Sequence, residues 1–64
     1  MKKQLLASSA TKEGMIKIIN QFFFSSDYGL TDDLKIIHPR VKDVYNYGVE
    51  RKKGRLRFYR IVND

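Results

Sequence analysis

An apolar stripe in the first half of the chain does most to limit how this sequence can fold. Six hydrophobic side chains recur at helical spacing, and at 100° per residue they fall within an arc of about 160°. They are Met15, Ile16, Ile18, Ile19, Phe22 and Phe23. The pattern predicts an amphipathic helix over residues 11–24, with Ser9 or Thr11 as its N-cap. Such a helix cannot bury its own stripe, so the rest of the chain has to cover it.

After the helix, the apolar residues alternate with polar ones. β-branched and aromatic side chains follow this two-residue period over residues 34–38, 44–50 and 55–62, which predicts three strands. Pro39 ends the first of them, because proline cannot donate a hydrogen bond to a β-ladder.

The loop between the last two predicted strands sets their register. A two-residue loop at Lys53 and Gly54 pairs Val49 with Phe58, whereas a four-residue loop pairs Val49 with Leu56. Both alternatives place the same side chains on each face, because they preserve the parity of the register. The inner face then carries Tyr45, Tyr47, Val49, Leu56, Phe58 and Val62. The outer face carries Asn46, Gly48, Glu50, Arg55, Arg57 and Tyr59, with Val44 and Ile61 also outward near the open end of the hairpin.

Together these elements predict an α+β fold in one small domain spanning residues 1–64. One amphipathic helix packs on a three-stranded antiparallel β-meander, and residues 4–7 can add an extra N-terminal strand. With 64 residues the chain is too short for two cores, and a domain of this size buries only about 60% of its unfolded surface.

The positive charge is concentrated in one part of the chain. The sequence has 13 Lys and Arg side chains against 7 Asp and Glu, a formal net charge of +6 at pH 7. Residues 40–60 hold eight basic and two acidic side chains, so this segment accounts for the whole excess. Such asymmetry is typical of proteins that bind a polyanion or an acidic surface. The candidate binding residues, on and beside the predicted turn, are Arg51, Lys52, Lys53, Arg55, Arg57 and Tyr59.

Two functions fit this basic hairpin. In the first, the protein binds DNA or RNA, with residues 51–53 at phosphates and Arg55 and Arg57 along a groove or a single-stranded backbone, next to Tyr59. In the second, it is a protein–protein interaction module, an inhibitor or adaptor, whose basic face docks on an acidic protein surface. The alternative to both functions is that the charged strand binds no ligand and only prevents edge-to-edge aggregation. We expect a monomer or a homodimer.

Few residues in the sequence can support catalysis or metal binding. The chain has no cysteine and one histidine, which excludes disulfides and cysteine-based zinc sites. Asp32 and Asp33 are adjacent in a predicted turn and point different ways, and the sequence places no serine or cysteine as a partner of His38. We therefore expect no enzyme activity and no cofactor. The longest apolar run is three residues, against about 20 for a membrane span, so a cytoplasmic protein without a membrane partner is expected.

Several segments resemble small uncharacterised proteins of bacterial prophages and mobile elements. They are Ser-Ala-Thr-Lys-Glu-Gly at residues 9–14, the Ile/Phe helix, Leu-Thr-Asp-Asp-Leu at 30–34, and Lys-Gly-Arg-Leu-Arg-Phe at 53–58. The likeness covers nearly the whole chain. It implies a bacterial or phage setting and supplies no catalytic residue.

Overall fold

One helix lies on a three-stranded antiparallel sheet in the computed structural model, which describes residues 2–63. In chain order the elements are β1 (Lys2–Ser9), α1 (Lys12–Phe23), β2 (Gly29–Leu30), β3 (Ile36–Ile37), a short 3-10 helix (Val41–Val44), β4 (Tyr47–Lys52) and β5 (Arg55–Val62). In the main sheet β5 is central, between β1 and β4, while β2 pairs with β3 in a separate two-stranded sheet. The predicted α+β class is confirmed.

Helix α1 forms where the apolar stripe predicted it. Thr11 is the N-cap, and its hydroxyl oxygen accepts a hydrogen bond from the backbone N–H of Gly14 at 3.0 Å. Ser9, the other candidate cap, accepts from the backbone N–H of Thr11 at 3.3 Å, so it supports the cap from outside the helix. The helix ends at Phe24, whose φ of 53° is left-handed.

The β4–β5 hairpin has the register of the two-residue loop. Val49 lies opposite Phe58 and Glu50 lies opposite Arg57. Lys53 and Gly54 form the turn with φ of 54° and 78°, and two central residues with positive φ suit the right-handed twist of a tight hairpin.

The third strand of the main sheet is a correction to the predicted meander. Of residues 34–38 only Ile36–Ile37 form a strand, and they pair with Gly29–Leu30. A meander would place residues 34–38 beside 44–50, whereas the third strand in the structure is β1, on the other side of β5, where it pairs from Lys2 to Ser9 and includes the extra strand predicted at residues 4–7. The N-terminal segment offers eight residues to the ladder. The 34–38 segment offers little, because Leu34 has a φ of 62° and proline follows at position 39.

The strand predicted at residues 44–50 also begins later than expected. Val44 ends the 3-10 helix and packs against the core, and β4 starts only at Tyr47. Because the 3-10 helix reorients the chain, Tyr45, expected on the inner face, has 74% of its surface exposed.

The core lies where α1 meets the inner face of β5. Its six buried residues are Met15, Ile19, Tyr28, Leu30, Leu56 and Phe58. The Phe58 ring lies 5.2 Å from Phe22 and 5.6 Å from Tyr47, measured between ring centroids, so the helix and β4 both pack on the central strand. Within residues 2–63 no helix is long and apolar enough to cross a membrane.

Candidate nucleic-acid interface

The face of the main sheet opposite α1 is called the open face here. It collects alternate side chains of all three strands, and a bulge between Leu5 and Ala7 resets the alternation in β1. None of its side chains is buried, and a Cβ atom added at Gly48 would meet no atom within 4 Å. The open face consists of Lys3, Leu5, Ser8, Gly48, Glu50, Lys52, Arg55, Arg57, Tyr59 and Ile61.

Positive charge dominates this surface. Its only charged side chains are four cations, which are Lys3, Lys52, Arg55 and Arg57, and one carboxylate, Glu50. Arg55 Nη2 lies 3.5 Å from Ser8 Oγ, and Arg57 Nη1 lies 3.5 Å from the Tyr59 hydroxyl. Since the two arginines are two residues apart on one strand, their Cα atoms are separated by roughly 7 Å and both can reach one polyanion.

The carboxylate of Glu50 is held by its neighbours. Its Oε1 atom accepts a hydrogen bond from the Tyr59 hydroxyl at 2.9 Å, and Oε2 lies 3.6 Å from Lys3 Nζ. The hydrogen bond from Tyr59 lowers the pKa of Glu50, and the Lys3 charge adds to this effect against partial desolvation. Glu50 is therefore ionised at neutral pH, and Lys3 matches its charge.

The other three cations of the open face remain available. Within residues 2–63 the ion pairs join Lys3 to Glu50 and Lys12 to Asp32. No carboxylate lies within ion-pair distance of Lys52, Arg55 or Arg57 in the part of the chain that the structure describes. The Lys52 charge contributes to the lowered pKa of Glu50, and all three charges can act on a ligand.

The six residues predicted for binding are only partly brought together. Lys52, Arg55, Arg57 and Tyr59 share the open face, and Lys53 lies at the tip of the turn. Arg51 lies opposite Leu56, so it belongs to the helix side of the sheet. Arg51 and Lys52 lie on different faces because adjacent residues on a strand point to opposite sides of the sheet.

Sequence reasoning missed the contribution of β1 to the site. Lys3 lies opposite Ile61, Leu5 opposite Tyr59, and Ser8 opposite Arg57. The short apolar run of Leu5, Leu6 and Ala7 between polar residues was the available signal, and it lies in the extra strand predicted over residues 4–7. The bulge was not visible in that pattern, although it decides which β1 side chains reach the open face.

The candidate catalytic residues have structural contacts elsewhere. Asp32 accepts a hydrogen bond from Lys12 Nζ at 2.9 Å, which lowers the pKa of this aspartate. His38 Nδ1 accepts from the backbone N–H of Arg40 at 2.9 Å, and its ring stacks on Tyr28 with centroids 3.8 Å apart. Among the described residues no three His, Asp or Glu side chains are grouped as metal ligands.

A cleft of about 510 Å³ lies apart from the open face, between the end of α1 and the loops that follow it. The Tyr28 hydroxyl donates to Asp43 Oδ2 at 3.4 Å beside this cleft. Burial raises the pKa of Tyr28, and the Asp43 charge adds to it. Asp27, Arg40 and Asp43 line the cleft, so it carries charges of both signs and has no single electrostatic preference.

The fold and the open face together define a small α+β protein with a basic sheet surface. No protein-family model, curated protein or solved structure matches this chain. The likeness to prophage and mobile-element proteins stays a prediction, and the function is inferred from the open face.

Proposed function

We propose that the protein is a non-enzymatic nucleic-acid-binding protein that uses the open face. The observation that carries this proposal is an uncovered sheet surface with four cations and one carboxylate, which is itself matched by Lys3. A sheet with one face on the core and one face toward solvent can present such a surface without loss of packing.

The chemistry of the cations favours phosphate as the ligand. The guanidinium groups of Arg55 and Arg57 can each donate two hydrogen bonds to one phosphate, and Lys52 adds a point charge. Lys53 extends the positive field beyond the sheet, at the exposed turn. Electrostatic attraction by such a surface raises the rate of encounter with a polyanion.

A salt titration tests the proposal. Binding of DNA and RNA oligonucleotides is measured by fluorescence anisotropy at increasing salt. With three or four phosphates neutralised, log K is expected to fall against log[salt] with a slope of about −2 to −3.6. No binding of either polymer at low salt would exclude the proposed function.

Two charge-reversal variants locate the surface. Arg55→Glu with Arg57→Glu changes the open face, whereas Arg51→Glu with Arg60→Glu changes the helix side of the same hairpin. Both variants alter the net charge equally, so bulk charge is controlled. The open-face variant is expected to lose binding at least tenfold more. Equal losses would show that the net charge, and not this surface, attracts the ligand.

A second candidate function is docking on an acidic protein surface. Leu5, 50% exposed, and Ile61 place apolar area on the open face next to the cations, as a protein partner would require. A stoichiometric protein partner that is retained after nuclease treatment and lost on Leu5→Ser would favour this candidate. Recovery of nucleic acid alone would count against it.

A further inference from the structure

The position of β5 in the sheet restricts which form of nucleic acid the open face can contact. A major groove about 12 Å wide admits a two-stranded ribbon, which the β4–β5 hairpin would form if it stood alone. In the structure β1 lies along β5 as far as Leu56, opposite Ser9. The axes of the outer strands are therefore about 10 Å apart before side chains are added. With its side chains added, a surface of this width is broader than the two-stranded ribbon that the groove admits, which favours a single strand as the ligand.

A hollow lies in the half of the open face farther from the turn. It has a volume of about 100 Å³ and is lined by Lys3, Gly48, Val49, Glu50, Tyr59 and Ile61. Gly48 lies directly opposite Tyr59. Because Gly48 has no side chain and a Cβ there would meet nothing within 4 Å, the space next to the tyrosine is open.

Aromatic and polar groups meet at this hollow. Lys3 Nζ lies over the Tyr59 ring, 5.7 Å from its centroid, and the Lys3 side chain is 62% exposed. A long exposed side chain of this kind can move aside for a planar ligand. The Glu50 carboxylate at the rim can accept a hydrogen bond from the amino group of a base. A carboxylate at this point repels phosphate, so the hollow suits a base and not the sugar–phosphate backbone of the nucleic acid.

We infer that the open face binds single-stranded nucleic acid, with one unpaired base in the hollow over Gly48 stacked against Tyr59. Lys52, Arg55 and Arg57 hold the phosphates that follow along β5 toward the turn. Base stacking on an aromatic side chain combined with a cationic track is the usual way to bind single strands. This inference rests on the proposed function, and it specifies the strandedness and the location of the base.

The test compares three ligands of equal length. They are a single-stranded oligonucleotide, its duplex, and a single strand with abasic positions, which keeps the phosphates and removes the bases. The wild-type protein is expected to bind the intact single strand at least about fivefold more tightly than the abasic strand, as stacking of one base provides. It is also expected to prefer the single strand to the duplex.

Two variants locate the base. Gly48→Val fills the hollow without changing any charge, and valine suits a strand. It is expected to reduce the ratio of intact to abasic affinity to about one. Gln4→Val makes a change to valine of equal charge on the helix side of the same sheet, opposite Arg60, and is expected to retain the wild-type ratio.

The outcomes separate the inference from the proposed function. Equal affinity of the wild-type protein for intact and abasic strands, or tighter binding of the duplex, overturns the inference and leaves nucleic-acid binding in place. An unchanged ratio in folded Gly48→Val also overturns the base site. Absence of binding to all three ligands at low salt removes both. If the Gly48→Val protein fails to fold, the inference is still tested, because the affinities for intact and abasic strands are compared with the wild-type protein alone.

Discussion

Phe24, which follows the last residue of α1, combines a strained backbone with an exposed side chain. Its backbone has a left-handed φ of 53°, and its side chain is 95% exposed. It closes α1 because its own N–H and that of Ser25 both donate to the Asn20 carbonyl, the latter at 3.0 Å. Glycine is the usual residue at this position, since it has no Cβ to oppose the left-handed conformation. The hydrogen bonds that end the helix offset the strain at Phe24.

Phe24→Gly is therefore expected to stabilise the protein. Removal of the left-handed strain should raise the free energy of unfolding by about 1 kcal/mol. Because the Phe24 ring is exposed, its loss removes few packing contacts. Urea denaturation followed by circular dichroism measures the change. Phe24→Ala is the matched control, because it removes the ring and retains the strain, so its stability should stay near the wild-type value. Destabilisation by glycine would mean that the ring makes contacts that support the fold.

At the scale of elements, one small network links all three strands of the main sheet. Lys3 comes from β1, Glu50 from β4 and Tyr59 from β5, and the two contacts of the Glu50 carboxylate join them. Since the pKa of Glu50 is lowered in the folded protein, the folded state favours its ionised form. This stabilisation is fully present above the ordinary pKa of a glutamate and is lost as the pH falls through the folded value.

Tyr59→Phe tests the hydrogen bond in this network. Without the phenol hydroxyl, the pKa of Glu50 is expected to rise toward its ordinary value, and the loss of stability on acidification becomes smaller. An NMR titration of the side-chain carboxyl carbons measures the pKa directly. Asp32 is an internal control, because its lowered pKa depends on Lys12 and should not change. A Glu50 pKa that does not move would assign the shift to the charges of Lys3 and Lys52.

At the scale of the whole molecule, the first and the last strands hold the fold together. β1 pairs with β5 although the two are separated by the helix, the small β2–β3 sheet and β4. Helix α1 then packs on the inner face that both strands share. The register between β1 and β5 therefore decides both the core and the open face.

A pair of charge substitutions in β1 tests this topology. Ala7 faces inward opposite Phe58, whereas Ser8 faces outward opposite Arg57. Ala7→Asp places a charge against the core and is expected to cost at least about 2 kcal/mol, a large part of the roughly 3–10 kcal/mol available to a domain of this size. Ser8→Asp should change the stability little. Chemical denaturation of both variants provides the comparison, and equal effects would contradict the register of β1.

Elements that depend on local pattern could be predicted from the order of the amino acids alone. The helical stripe predicted α1 to within a residue or so at each end. The two-residue period with Gly54 predicted β5 and the outward face of Arg55, Arg57 and Tyr59, and it left two hairpin registers of the same parity, of which the structure has the two-residue loop. The choice of the third strand depends on contacts that form only in the folded chain, because residues 34–38 were predicted beside β4 and residues 4–7 could add at the free edge of β5. The longer ladder of β1 occupies that edge. Its bulge places Lys3 and Leu5 on the open face, and its pairing widens the basic surface of the β4–β5 hairpin by one strand.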